Sequence, residues 1–450
     1  MLAEILDPGF LDVLHSAAER IRDHDEFRII AHYDGDGTSA GIILARALLR
    51  LSKRFHLGYI KDLGPEAFKD RIEEERDLPT IVVDAGSDQL RFVPDIENII
   101  VLDHHFYQKS SAKGLNINAR DFKVDGTREA CGSTMAYLMA LVLDEKNSDL
   151  FPFFLSGVIA DKQDIGGLRG LNNLLQEEYG SRYRKVHALN LEGENLIDAL
   201  SYSTDPFFNN ISGNSENTKK LLKEAGLDVT KPPLDLTEDE KRVLAGKLSY
   251  IMVKQGVGSE ALKYLESDVY RFPDYGFSSK EISSIIDGNS KIGKNSVAVQ
   301  YFLGDRRIKK ECMDNWKIFK SKLIDYSYRS FKETFQDTNL RYFYAPESEM
   351  AGAISGLLML YLLPQDKPVI GISVSDGIAK VSGRGTRKQV EKGLNLSVVL
   401  KNAAQSVGGN GGGHDIAAGG SIPSEKVKQF LEVANSIIRE QFPSSGLNPP

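Results

Sequence analysis

Three short runs rich in Ile and Val, FRIIAHY (27–33), TIVVDAG (80–86) and NIIVLDHH (98–105), each lead straight into carboxylates or imidazoles. Runs of this length and composition, closed by polar or glycine residues, read as buried strands. HLGYIKD (56–62) offers a fourth, weaker strand, and TSAGIILARALLRLSKR (38–54) and GSTMAYLMALVLDEK (132–146) have the spacing of helices. Alternation of this kind predicts an α/β fold whose N-terminal domain is a parallel sheet with helices on both faces. Ligands of such sheets gather beyond the carboxyl ends of the strands. Asp34, Asp36, Asp84, Asp103, His104 and His105 all fall there, and Asp161, after the apolar LSGVIA, is expected at the same edge.

So many acids at one edge repel one another unless cations sit among them. Carboxylates mixed with imidazoles suit Mn²⁺, Zn²⁺ or Fe²⁺ better than Mg²⁺, and a donor set without thiolate argues against structural zinc. The segment AHYDGDGTSA (31–40) is no calcium loop, because Ser39 and Ala45 stand where that loop needs Gly and Glu. It also lacks the GK[ST] ending of a phosphate loop. Taken alone it remains either a polar turn or a site. The other strand ends favour a catalytic two-metal centre.

Beyond about residue 190 the chain turns helical and charged. Thr237 with Glu240 and Ser278 with Glu281 have the form of capping boxes, and Trp316, Phe319, Leu323 and Tyr326 form a stripe at helical spacing. LRYFYAPE (340–347), PVIGISV (368–374) and GIAKVSG (377–383) bring strands back. The expected organisation is a catalytic domain over 1–190, a helical connector over 191–334, a smaller C-terminal α/β domain over 335–440 and a disordered tail over 441–450. The net charge of −7 argues against wholesale attraction to nucleic acid, although residues 305–333 and 364–402 each carry a local basic excess. The longest apolar run, 351–363, is too short to span a bilayer, so no membrane partner is expected. The N-terminus has no basic n-region, and Cys131 and Cys312 lack disulfide-framework or metal spacing. A reducing cytoplasm is the expected compartment.

The ordered motifs His32-Tyr33-Asp34-Gly35-Asp36-Gly37-Thr38-Ser39, Asp84, Asp103-His104-His105 and Gly157-Val158-Ile159-Ala160-Asp161 resemble those of the DHH phosphoesterase superfamily. The resemblance continues through 281–305 and ends in SGRGT (382–386) and GGNGGGHDIAAGG (408–420), which are similar to a nucleotide-gripping DHHA1 domain. The His32-x-Asp-x-Asp start is most similar to archaeal RecJ-like nucleases. The resemblance implies two divalent ions, with Mn²⁺ expected and Mg²⁺ or another divalent ion as alternatives. It implies His32, Asp34, Asp36, Asp84, His104 and Asp161 as metal ligands, with Asp36, Asp84 and His105 catalytic. It implies that His105, Ser382, Arg384, Gly411, Gly412, Gly413 and His414 hold substrate, and it assigns no role to Asp164. The implied activity is two-metal hydrolysis of phosphodiester bonds in single-stranded DNA or RNA by an exonuclease of replication or repair. Other members imply two alternatives: a phosphodiesterase for short oligonucleotides or cyclic dinucleotides, and a replisome scaffold that binds the GINS complex. The oligomeric state is left open.

Overall fold

The structure is a computed structural model that describes residues 2–61 and 63–442; the expected tail lies, from residue 443, outside the described residues. The chain forms two compact units, one of residues 1–186 with 268–317 and one of 187–267 with 318–450. The middle segment expected as a connector is thus divided between them, 268–317 packing with the first unit and the remainder with the second.

The first unit is built on five parallel strands, β1 (Glu26–His32), β2 (Arg54–Ile60), β3 (Thr80–Val83), β4 (Ile99–Asp103) and β5 (Leu115–Asn118), in the order β2-β1-β3-β4-β5. Register places Ala31 beside Val83, Val83 beside Leu102, and Asp103 beside Asn118, so the ends of β1, β3 and β4 come level. Side chains alternate across the pleat. Ile30, Val82 and Val101 pack with Phe68 and Ile72 of the helix Pro65–Glu73 on one face. The helices Gly35–Arg50 and Gly132–Leu143 pack on the sheet as well as on each other. Full burial of each such Val or Ile is worth about 1.5–3 kcal/mol, which explains why strands of four or five residues suffice here. Arg28 is fully buried in β1, yet its guanidinium is satisfied: it donates to Thr80 Oγ1 and to the Arg71 and Ile72 carbonyls at the end of the helix Pro65–Glu73.

The second unit carries a six-stranded mixed sheet in the order 410–413, 417–423, 378–384, 369–375, 341–344, 335–336. Only the pair Arg341–Tyr344 and Val369–Ser375 is parallel. Its core is Ile370, Ile372, Val381 and Leu400 with Phe430 and Ile438 of the helix Val427–Gln441. Both capping boxes form, at Thr237 with Glu240 and at Ser278 with Glu281. In the helix Lys309–Lys332, Trp316, Phe319 and Leu323 are buried, while Tyr326 is half-buried and donates to Glu347 Oε1 at 2.9 Å. No described helix is long and apolar enough to cross a membrane.

One expectation fails. Asp161 does not close a strand: it caps the C-terminus of the helix Phe151–Ala160. An unbroken apolar run has no period to separate strand from helix, and Pro152 in the first turn suits a helix start. The helix expected from residue 38 also begins earlier, at Gly35, because Asp34 acts as its N-cap by accepting from Gly37 N at 3.1 Å.

Candidate functional site

The carboxyl edge of the first sheet gathers three overlapping sets of metal-capable donors. His32, Asp34 and Asp84 form one; Asp84, His104 and His105 a second; Asp36, His104 and Asp161 a third, with the donor atoms of each set within 4.8 Å of one another. Asp84 and His104 each belong to two sets. All six residues expected as metal ligands, together with His105, are therefore brought together.

Local structure explains how each acid is held. Asp36 lies in the first turn of the helix Gly35–Arg50 and is buried. Its oxygens accept from Gly132 N at 2.6 Å and Ser133 N at 2.9 Å, at the start of the helix Gly132–Leu143. The N-terminus of that helix thus faces the carboxylate, where its free N–H groups and dipole favour negative charge. Asp84 follows β3 with φ of +63°, a left-handed conformation that costs energy in a non-glycine residue unless its surroundings enforce it. A Cβ at position 132 would stand 2.3 Å from Asp84 Cβ, so glycine there is what lets the helix approach.

The imidazole nitrogens lie among these carboxylates. His104 donates through Nδ1 to the Gly126 carbonyl, and its Nε2 faces Asp84 Oδ1 at 3.1 Å. His32 Nδ1 is buried, lies 3.0 Å from Asp34 Oδ2 and 3.4 Å from Asp84 Oδ2, and makes no hydrogen bond to either. Ring nitrogens set this close to carboxylate oxygens leave positions between them that suit a cation. Electrostatics agree. Burial, then the charges of Asp84 and Asp161, push the Asp36 carboxyl well above the ordinary range. Asp161 is an exposed residue, but protein packed about its carboxyl and the charges of Asp84 and Asp34 push it up to about 6. For His32 and His104 burial opposes protonation, but the adjoining carboxylates outweigh it and raise both well above the ordinary imidazole value. Without metal, the protonated forms of Asp36, Asp161, His32 and His104 are favoured over their ordinary behaviour, and divalent cations would relieve the same repulsion.

His105 is outermost. Its Nδ1 lies 2.8 Å from Asp103 Oδ1, its ring leans on that of His104 at 4.1 Å, and more than half of its side chain is exposed. Burial opposes protonation, but Asp103 raises its pKa. Asp103 also accepts from the backbone N–H groups of Ser87, His104 and His105, so it is fully engaged in holding this corner.

In the second unit the register sets Ser382 beside Gly419 and Gly419 beside Gly412, one row across three strands, with Arg384 beside Ala417 two residues further along. Gly411, Gly412 and Gly413 form the edge strand Asn410–Gly413. His414 is exposed, its N–H donating to the Ala417 carbonyl. Arg384 Nη1 donates to the Gly383 carbonyl, and its pKa is lowered by burial with no carboxylate offsetting the cost. A half-buried guanidinium without an acid beside it keeps donors that could take an anion.

Comparison with known proteins places both halves. Residues 26–158 match the DHH family N-terminal domain and residues 339–440 the DHHA1 domain. An uncharacterised protein of Methanocaldococcus jannaschii is 32% identical over 447 residues, covering 96% of this chain and 97% of that protein. The chain belongs to the DHH family. It is an enzyme of the phosphoesterase type that the family comprises. Its fold is shared with RecJ from Thermus thermophilus solved with Mn²⁺ (TM-score 0.59, 17% identity, 96% of this chain and 55% of RecJ). It is shared equally with CDC45 from Entamoeba histolytica (TM-score 0.60, 13% identity, 95% of this chain and 98% of CDC45).

Sequence reasoning missed the supports of this DHH centre. Gln163 is buried and donates through Nε2 to Asp161 Oδ2 at 2.7 Å and to the Ala130 and Gly126 carbonyls. The Gly126 carbonyl also receives His104 Nδ1, so one carbonyl fixes two members of the third donor set. Asn172 completes the chain by donating to Gln163 Oε1 at 2.7 Å and accepting from Thr134 Oγ1. Nothing in the sequence marks Gln163 as buried, so it carried no signal.

Proposed function

We propose that this DHH-family enzyme is a metal-dependent exonuclease that hydrolyses phosphodiester bonds of single-stranded DNA or RNA. The observation that supports the reading is the sharing of Asp84 and His104 between donor sets, an arrangement suited to two neighbouring cations. His32, Asp34 and Asp84 would hold the first ion, and Asp36, Asp84, His104 and Asp161 the second, with Mn²⁺ suited to the mixed oxygen and nitrogen donors. Bound there, such ions would supply activated water and neutralise charge on the phosphate.

The chain's own residues do the rest. His105, oriented by Asp103, would present its ring to a phosphoryl oxygen. Asp36 is kept in place by two backbone amides, so its position does not depend on the ion. Arg384 and Ser382, with the amides of Gly411–Gly413 and with His414, would bind the phosphate and sugar of the terminal nucleotide.

The test is digestion of end-labelled single-stranded and duplex DNA and RNA with Mn²⁺ or with EDTA. Stepwise release of mononucleotides from single strands, abolished by EDTA, is expected. Faster hydrolysis of dinucleotides than of longer strands would replace this reading with a short-oligonucleotide phosphodiesterase. A role beside replication proteins is a second reading, supported by the fold shared with CDC45. It predicts co-purification with GINS subunits, with catalysis retained because every expected ligand is present.

A further inference from the structure

Phe106 follows the histidine pair directly, and among the described residues it is the most exposed large apolar side chain, at 78%. Such exposure usually belongs to a mobile loop or a scattered surface residue. Here the segment is tied down on every side. His104 and His105 N–H groups donate to Asp103, Asn118 Nδ2 donates to the His105 carbonyl at 3.0 Å, Tyr107 donates to Asp121, and Gln108 N donates to Asp88 Oδ1 at 3.0 Å. The ring is presented to solvent by a fixed backbone.

One face of that ring is already covered. The Arg120 guanidinium carbon lies 3.4 Å from the Phe106 centroid, and Arg120 Nε donates to the His104 carbonyl at 2.9 Å. Arg120 is therefore anchored to the metal-binding segment and backs the aromatic ring, leaving the opposite face open. The flanking residues HFYQKSS (105–111) are mostly polar, so there is no broad apolar patch that a protein partner would need. A flat ring, rigidly held, backed by a guanidinium and adjoining His105 suits a single flat ligand that stacks. Nucleobases stack on aromatic rings without regard to sequence.

We propose that Phe106, backed by Arg120, is a stacking platform for a nucleobase of the strand whose phosphate is engaged at His105. This rests on the nuclease reading and deepens it: the enzyme selects phosphodiesters that carry bases over bare phosphate chains or abasic strands. Phe106 thus sets specificity without touching the reacting atoms.

Kinetics and binding test it separately. Phe106→Ala raises KM for a single-stranded oligonucleotide about five- to 150-fold, the range expected for one base–aromatic stack, and Phe106→Tyr restores it. A strand abasic at its terminal nucleotides shows the high KM with the unaltered enzyme, and Phe106→Ala adds nothing further. An unchanged KM for the base-bearing strand in Phe106→Ala overturns the proposal while leaving the nuclease reading intact. For binding, Phe106→Trp places an exposed indole in a chain whose one tryptophan, Trp316, is buried. A phosphorothioate strand with bases quenches its fluorescence, and an abasic strand of equal length, seen to be bound by anisotropy of its label, does not. Equal quenching by both, or none from a bound base-bearing strand, overturns the platform. If no strand is hydrolysed, the nuclease reading fails, and the quenching result alone decides the stacking site. A chain that binds neither strand overturns both.

Discussion

In the first unit the sheet edge crowds four carboxylates and three imidazoles into overlapping sets, whereas in the second Arg384 sits half-buried with no carboxylate to offset it. One region concentrates negative charge, whereas the other holds a guanidinium whose burial no acid offsets. The supports differ as well. Asp36, His104 and Asp161 are fixed by backbone amides, a carbonyl and Gln163, while the glycine row at 411–413 lies on an edge strand.

The largest break in this contrast comes from removing the acid common to two donor sets. Asp84→Asn keeps a residue that tolerates the left-handed backbone but loses the charge, and it lowers single-strand hydrolysis at least about a thousandfold, or about 4 kcal/mol. Circular dichroism and thermal melting check that the fold persists. Arg384→Ala acts on the other region: KM for single strands rises about thirty- to a hundredfold while Mn²⁺ affinity measured by calorimetry is unchanged, as loss of a charged hydrogen bond predicts. A matching fall in metal affinity would show that the two regions are not separable.

Gln163→Leu sharpens the contrast on the metal side. It weakens Mn²⁺ binding about tenfold through loss of an outer hydrogen bond to a ligand, with KM for strand little altered. The smallest effect is on stability against pH. The raised carboxyls Asp36 and Asp161 stabilise the metal-free fold fully below the ordinary carboxyl value of 3.8, and that contribution is lost as pH rises through about 6 and beyond. The raised imidazoles of His32 and His104 act in the same direction, full below 6.5 and lost as pH rises through their folded values. Asp34 and Asp103, held below the ordinary carboxyl range, contribute constantly above 3.8. The melting temperature gained on adding Mn²⁺ in excess over EDTA therefore grows from pH 5 to pH 8, reaching about 5–10 °C. A gain independent of pH would contradict the favoured protonation of the cluster.

Much of this was legible because β1, β3 and β4 are short Ile- and Val-rich runs whose ends carry the acids themselves. The ligand residues at 32–36, 84 and 103–105 could be placed at one edge before any coordinates. Asp161 reached that edge by a helix, since FPFFLSGVIA is apolar at every position save Ser156 and Gly157 and so has no readable period. Gln163, Gly126 and the amides of Gly132 and Ser133 were illegible for a different reason: apart from the bonds of Gln163 to Asp161 and Asn172, their partners lie 22 to 97 residues away in sequence and are set by packing. The division of 191–334 between two units is hidden likewise, because amphipathic helices do not announce which core they join.

The central claim is that two ions are held in sets joined by Asp84, and a Mn²⁺ titration followed by electron paramagnetic resonance and calorimetry tests it most directly. The account predicts two ions per chain with exchange-coupled spectra, and loss of the coupling in Asp84→Asn. Uptake of one isolated ion by the unaltered chain, or coupled spectra that survive Asp84→Asn, would contradict it.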